Sequence, residues 1–286
     1  MIRKLAVLVA GVGAVALSGC GAQEASVVKG AFSKSISSAN MNMTMSMAAP
    51  GGESTISLKG PYKNNGKGKL PSADLKLQVA GAMPQPIEAE LFSTGEDAFV
   101  VYDGQTYQVG KDNIAKLKMK GAVTSGNTSQ MDIGKMLIKM QDWFPESNAQ
   151  ENASLNGEDV TRITGKLDLS KALADMKDLA KEPGMSGFEG LKQLSGGDLR
   201  KIEKSVSDPK FTVDVAKSDG KLRRIAATMN INESGQKGKI AFSLQLTDVD
   251  KPVTINAPSS GKPIQELLKK LQQDFAGSQP ESSTIS

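Results

Sequence analysis

From residue 40 the chain alternates without a break: Asn40-Met41-Asn42-Met43-Thr44-Met45-Ser46-Met47. A period of two places all four methionines on one side of a strand and their polar neighbours on the other. Pro50-Gly51-Gly52 predicts a turn, after which residues 53–59 resume the alternation with Ile56 and Leu58. Residues 60–68, rich in Gly, Asn and Lys, read as a loop. The pattern returns as Leu75, Leu77 and Val79, then as Ile87, Ala89 and Leu91. Residues 99–102 and 106–109 flank Asp103-Gly104, a pair that predicts a hairpin with a type I′ turn. Residues 160–169 read as a strand. Residues 211–217, 221–232 and 238–247 read as three antiparallel strands, with Val213, Ala227 and Phe242 among their apolar positions.

Helical spacing appears in fewer places. Val28, Phe32 and Ile36 recur every four residues and predict a helix over 23–38. Residues 113–120 and 131–144 follow, the latter with Met136, Leu137, Met140, Trp143 and Phe144 on one side and Pro145 as its stop. Residues 170–181, with Ser170 as N-cap, and 198–206 are also helical in pattern. After Pro258 come Ile264, Leu267, Leu268, Leu271 and Phe275, one face of an amphipathic helix, and then a polar tail. Some ten strands that are apolar on one face only predict an α+β fold. Its frame is one large curved antiparallel sheet with helices over part of the concave apolar face.

The first 20 residues carry a separate signal. Arg3 and Lys4 precede an apolar run from Leu5 to Leu17, too short for a spanning helix, and Leu17-Ser18-Gly19-Cys20 closes it. This is the pattern of a bacterial lipoprotein signal, with residues 1–19 removed and a diacylglycerol added to Cys20, the chain's one cysteine. The expected organisation is a signal peptide over 1–19, one domain over 20–258, and a helix with a polar tail over 259–286. Cleavage removes two bases and no acid, lowering the formal charge from +4 to about +2. Near balance with interleaved signs gives no basic stripe for nucleic acid. The sequence has no histidine, so Ser-His-Asp and Cys-His nucleophile activation and His-containing metal sites are all excluded.

The order of the strand phrases resembles a known family. The chain runs from the lipobox and short helix into the Met-rich strand and then Phe99-Val100-Val101-Tyr102-Asp103-Gly104-Gln105-Thr106-Tyr107. Val160-Thr161-Arg162-Ile163-Thr164-Gly165-Lys166 follows, then Phe211-Thr212-Val213-Asp214-Val215, and the closing Val253-Thr254-Ile255-Asn256-Ala257-Pro258. In this it is similar to actinobacterial LppX/LprG-type lipoproteins, relatives of the LolA/LolB lipoprotein carriers, over roughly residues 25–258. The resemblance implies a half-open barrel that holds acyl chains between sheet and helices. It also implies a non-enzymatic, membrane-anchored protein that binds and carries or presents lipids, glycolipids or lipoproteins. The ligand would be an acyl lipid or glycolipid, the membrane contact acylated Cys20, and an envelope transporter a candidate partner. No cofactor is implied. The site would be the extracytoplasmic face of the cell membrane.

An acyl chain crossing water exposes methylenes at about 0.8 kcal/mol each, on the order of 10 kcal/mol for sixteen carbons. A dry slot removes that barrier, and unbranched, polarizable methionine adapts to chains of varying shape. The candidate lining residues are therefore Met41, Met43, Met45, Met47, Ile56, Leu58, Leu75, Leu77 and Leu91, with Met136, Leu137, Met140, Trp143 and Phe144 on the helix. The competing reading is a structural or sensory lipoprotein whose core is filled and takes no ligand. Three Ser-x-x-Lys matches (Ser26, Ser207 and Ser218) lack any Lys-Thr-Gly partner and read as background. Asp248 and Asp250 lack the further oxygens of a calcium loop.

Overall fold

Helix α1 (Gly21–Ser33) leads into β1 (Ser38–Ala49) and a meander of β2 (Gly52–Lys63), β3 (Ser72–Ala80), β4 (Ile87–Thr94), β5 (Ala98–Tyr102) and β6 (Gln105–Gln108). After α2 (Lys111–Met119) come β7 (Glu146–Leu155), β8 (Glu158–Lys166), α3 (Leu169–Ala180) and α4 (Gly196–Ser205). The chain closes with β9 (Val206–Ala216), β10 (Leu222–Glu233), β11 (Gln236–Thr247), β12 (Lys262–Pro263) and α5 (Ile264–Ala276). This computed structural model describes residues 21–66, 69–81, 85–119, 143, 146–180, 195–233 and 235–276. Cys20, Met136, Leu137, Met140 and Phe144 lie outside them, as do the signal segment and the polar tail.

The described strands form one sheet in the order β12-β6-β5-β4-β3-β2-β1-β11-β10-β9-β8-β7. Its two edges do not pair, so the sheet is an open α+β half-barrel rather than a closed one. The pairings are antiparallel except at one edge, where Lys262 and Pro263 of β12 lie parallel to Tyr107 and Gln108 of β6. The large antiparallel sheet that the alternation predicts thus gains one short parallel pairing at its edge. The chain leaves β11 near the middle of the sheet and crosses to the far edge, where it arrives in the same direction as β6. A parallel pairing needs just such a crossover.

Local chemistry explains most boundaries. Asp103 and Gly104 both have positive φ, +52° and +70°, as the type I′ hairpin requires. Asn156 and Gly157 do the same at +52° and +83°, closing the β7–β8 hairpin. Strand β2 runs on to Lys63 through the segment that reads as a loop. Gly60 permits this, because at φ +146° a Cβ there would lie 2.0 Å from the Asp74 carbonyl oxygen. Helix α1 stops at Ser33, short of the expected 38. The N-cap of α3 is Asp168, whose Oδ1 accepts from the Lys171 amide at 2.9 Å. Ser170 lies inside that helix and donates to Glu203 instead. A capping box between Ser195 and Asp198 starts α4.

The packed core lies toward the β7 edge. Val28 and Ala31 of α1, Ala172 of α3 and Trp143 press onto Ile163, Phe211, Val213 and Val215. Ile163 and Val213 are each 1% exposed, and full burial of one such side chain contributes about 1.5–3 kcal/mol.

Candidate functional site

Directly opposed residues of an antiparallel pair share a face, so the register can be followed in rows across the sheet. One row passes through ten strands: Tyr102, Ala89, Leu77, Leu58, Met43, Leu244, Ile225, Val213, Ile163 and Ala149. The next passes Ile87, Val79, Ile56, Met45, Phe242, Ala227 and Phe211. Neither row contains a charged side chain.

The two ends of these rows differ in cover. At Val213, Ile163 and Phe211 the helices seal the face. Met41, Ile225 and Leu244 are half-buried at the margin of that core. Toward the β1–β2 turn the cover stops: Met45 is 46%, Met47 50% and Ile56 40% exposed. Monomeric proteins scatter single apolar groups on their surfaces, but contiguous ones mark a binding surface. Met45 sits directly between Ile56 on β2 and Phe242 on β11, which makes these neighbours contiguous.

The candidate lining residues therefore divide. Met43, Met45, Met47, Ile56, Leu58, Leu77 and Leu91 line the same face in neighbouring strands, and Leu75 opposes Leu91 beside them. Trp143 sits apart, 7% exposed in the packed core. Its indole Nε1 donates to Asp175 at 2.8 Å and its carbonyl accepts from the Asp168 amide. The rows also enlist Phe242, Ala227, Val79 and Ile87, which the candidate set omits. The alternation of β3, β4, β10 and β11 in the sequence is the signal that places them there.

A groove of about 1170 Å3 meets the outer end of these rows at Leu77, Ile87, Ala89 and Tyr102 but does not reach Met45, Met47 or Ile56. Ser57, Lys59, Lys76, Gln78, Glu88 and Glu90 contribute polar walls, and of the candidate lining residues Leu77 alone borders it. Lys76 pairs with Glu90 at 3.7 Å there. Burial pushes the Asp74 carboxyl up, Glu90 adding to the effect and Lys76 opposing it. At the β6 edge, α5 buries Leu267 and reaches back with Lys270. That ammonium pairs with Asp103 and stands 5.3 Å from the Tyr102 ring centroid. Its hydrogen bond holds the Asp103 carboxyl below the usual range.

The weaker sequence signals resolve into turns and ion pairs. Lys210 pairs with Asp208, Lys221 with Asp250, and Ser218 donates to Glu158. Asp250 also accepts from the amide and hydroxyl of Ser37, and Asp248 from Asn40 and Lys251. Together they tie the α1–β1 junction to the exit of β11. Among the described residues, no helix is long and apolar enough to cross a membrane.

No family model and no curated protein matches this chain. Among solved structures it is similar to LppX from Mycobacterium tuberculosis, at 15% identity and a TM-score of 0.42, over 81% of this chain and 97% of that one. It is similar to LprF from Mycobacterium bovis at 14% identity and 0.41, over 83% and 98%. A LolA superfamily protein from Nitrosomonas europaea matches at 12% identity and 0.22, over 78% and 93%. The structures that this chain is similar to thus include the lipoprotein group that its strand phrases resemble.

Proposed function

We propose that this chain is a lipid-anchored envelope lipoprotein that binds acyl lipids or glycolipids along the open half of its apolar face and carries or presents them. The anchor in this reading is acylated Cys20, which sets the chain on the extracytoplasmic side of the cell membrane. The observation that supports it is the exposure of Met45 and Ile56 in an uncharged row that is sealed at Phe211, with Met47 exposed beside them on the same strand face. Three contiguous apolar side chains left about half in water are poor design for a filled core and good design for a surface completed by a guest. Each methylene laid on them leaves water with a gain of about 0.8 kcal/mol. The guest needs no fixed counter-charge, because the rows carry none. No reaction is assigned to the face: it offers hydrocarbon contact and no converging ionisable groups.

The test is extraction of the purified full chain with organic solvent and mass spectrometry of what is released. Acyl lipids in stoichiometric amount, and saturable uptake of a fluorescent fatty acid by the stripped protein, are the expected results. A chain that yields no lipid and takes up none has a filled or idle face, which is the structural reading.

A further inference from the structure

The polar face of the same sheet carries a charge arrangement that lipid contact does not use. A row of directly opposed residues crosses six strands there: Asn42, Gln245, Arg224, Asp214, Arg162 and Gln150. Asp214 is 0% exposed. Arg162 donates through Nε to its Oδ1 at 2.7 Å, and Arg224 through Nε to its Oδ2 at 2.6 Å. One carboxylate thus serves two guanidinium groups, and the cluster keeps a net charge of +1. The neighbouring Arg223 is the contrast. It is held by two carboxylates, with Nε at 2.7 Å and Nη2 at 2.8 Å from Glu158 and Nη2 at 3.0 Å from Asp219. The uncompensated positive charge therefore belongs to Arg162 and Arg224.

Their donors are also available. The Arg162 and Arg224 side chains stay 25% and 27% exposed. Arg162 gives one Nη2 hydrogen to the Ser154 carbonyl at 3.1 Å. Among the described residues, Arg224 makes no hydrogen bond through its Nη groups. The adjoining row holds Thr164, Thr212, Ala226 and Ser243, small neutral side chains that cannot overhang the two forks. Both arginines stand on interior strands and both are oriented by a carboxylate sealed beneath them. A guanidinium fork held this way matches the oxygens of a phosphate-type anion.

We propose that Arg162 and Arg224 form a binding site for a phosphate-type oxyanion, with Asp214 as the positioning residue that spaces them. The ligand is a phosphomonoester or inorganic phosphate, either free or as a lipid headgroup.

The test is titration of the full chain with inorganic phosphate while following the arginine side-chain Nε–Hε resonances. Saturable shifts are expected at Arg162 and Arg224 and none at Arg223, whose fork is occupied. R224Q weakens binding about tenfold or more, the worth of a charged hydrogen bond. R224K also weakens it, because charge alone does not restore the fork. R200Q, an exposed arginine on α4, leaves it unchanged. Competition by vesicles doped with phosphatidic acid, but not by phosphatidylcholine vesicles, assigns the site to a headgroup; no competition assigns it to a free anion. Absence of a saturable shift, or equal shifts at Arg223, overturns the proposal. That comparison within the unaltered chain decides the matter even where R224Q does not fold.

Discussion

Replacing Met45 by Glu separates an open trough from a filled core. Met45 is 46% exposed between Ile56 and Phe242. About half of its burial free energy is present in the folded chain, so the substitution forfeits about 1 kcal/mol. The new carboxylate reaches water, and the charge itself adds little. Ile163→Ala is the reference: at 1% exposure it leaves a cavity and costs about 2–5 kcal/mol. A bound acyl chain feels the opposite ranking. A carboxylate at Met45 keeps about three or four methylenes from contact, about 3 kcal/mol or some hundredfold in affinity. Ile163 lies under the helices, away from the guest, and its substitution leaves the affinity within a few-fold. Urea denaturation reads the stability, and displacement of a fluorescent fatty acid reads the affinity. If Met45→Glu destabilises as much as Ile163→Ala and leaves fatty-acid affinity intact, the face is a core and the carrier reasoning fails.

Asp214→Ala leaves two guanidinium groups clustered without their carboxylate, and a loss of about 3 kcal/mol is expected in chemical denaturation; Asp214→Asn, which keeps the acceptor shape, should lose less. Gly60→Ala meets the Asp74 carbonyl at 2.0 Å in a backbone that side chains avoid, and should cost well over about 1 kcal/mol and lower the thermal midpoint. Asp250 is held down to about 2 from 3.8, chiefly by its hydrogen bond from Lys221 and then by the Ser37 amide. Its depressed value means the stabilisation is complete above pH 3.8 and is lost as the pH falls toward 2. Solvent screening at this surface limits it to about 1 kcal/mol, so Asp250→Asn should flatten the acid limb of the stability–pH curve by that amount.

Where alternation was strong, the sequence led directly to the sheet: β1 pairs in the register that puts Met43 beside Leu58 and Leu244. Strand β7 was not legible in the same way. Its sequence, Glu146-Ser147-Asn148-Ala149-Gln150-Glu151-Asn152, offers no apolar period, because an edge strand whose inward positions are Ser and Ala buries little. Asn156-Gly157 was the readable clue, a type I′ pair that demands a strand before it. Strand β12, only two residues long, has no pattern at all. The polar row around Asp214 was half visible. Parity assigned Asp214 to the face opposite Val213, but no rule of spacing says that Arg162, 52 residues earlier, stands across from it. Only the register does. The cap of α3 failed for a simpler reason: Asp168 and Ser170 are both good caps, and the end of β8 at Lys166 decides between them.

The unequal cover of the apolar face follows from where the chain places its helices. Strands β1 to β6 form a meander, and among the described residues no helix stands between them. Such a ribbon exposes its apolar side unless something outside it is laid on top. The second half is built differently: α1 precedes the sheet and is tied down at its end, Lys34 donating to the Asp219 carbonyl and Ser37 to Asp250. Trp143 and α3 flank β7 and β8 and are locked by the Asp168 and Asp175 contacts. The described helices thus seal β8 and β9, while Met45 and Met47 of β1 and Ile56 of β2 remain in water. A guest that covers them binds the folded chain and not the unfolded one, so it must raise the thermal midpoint by an amount that grows with the logarithm of its concentration over its Kd. A filled face has no such dependence, and the melting temperature of the stripped chain against added lipid therefore reports directly on whether the folded chain takes a guest.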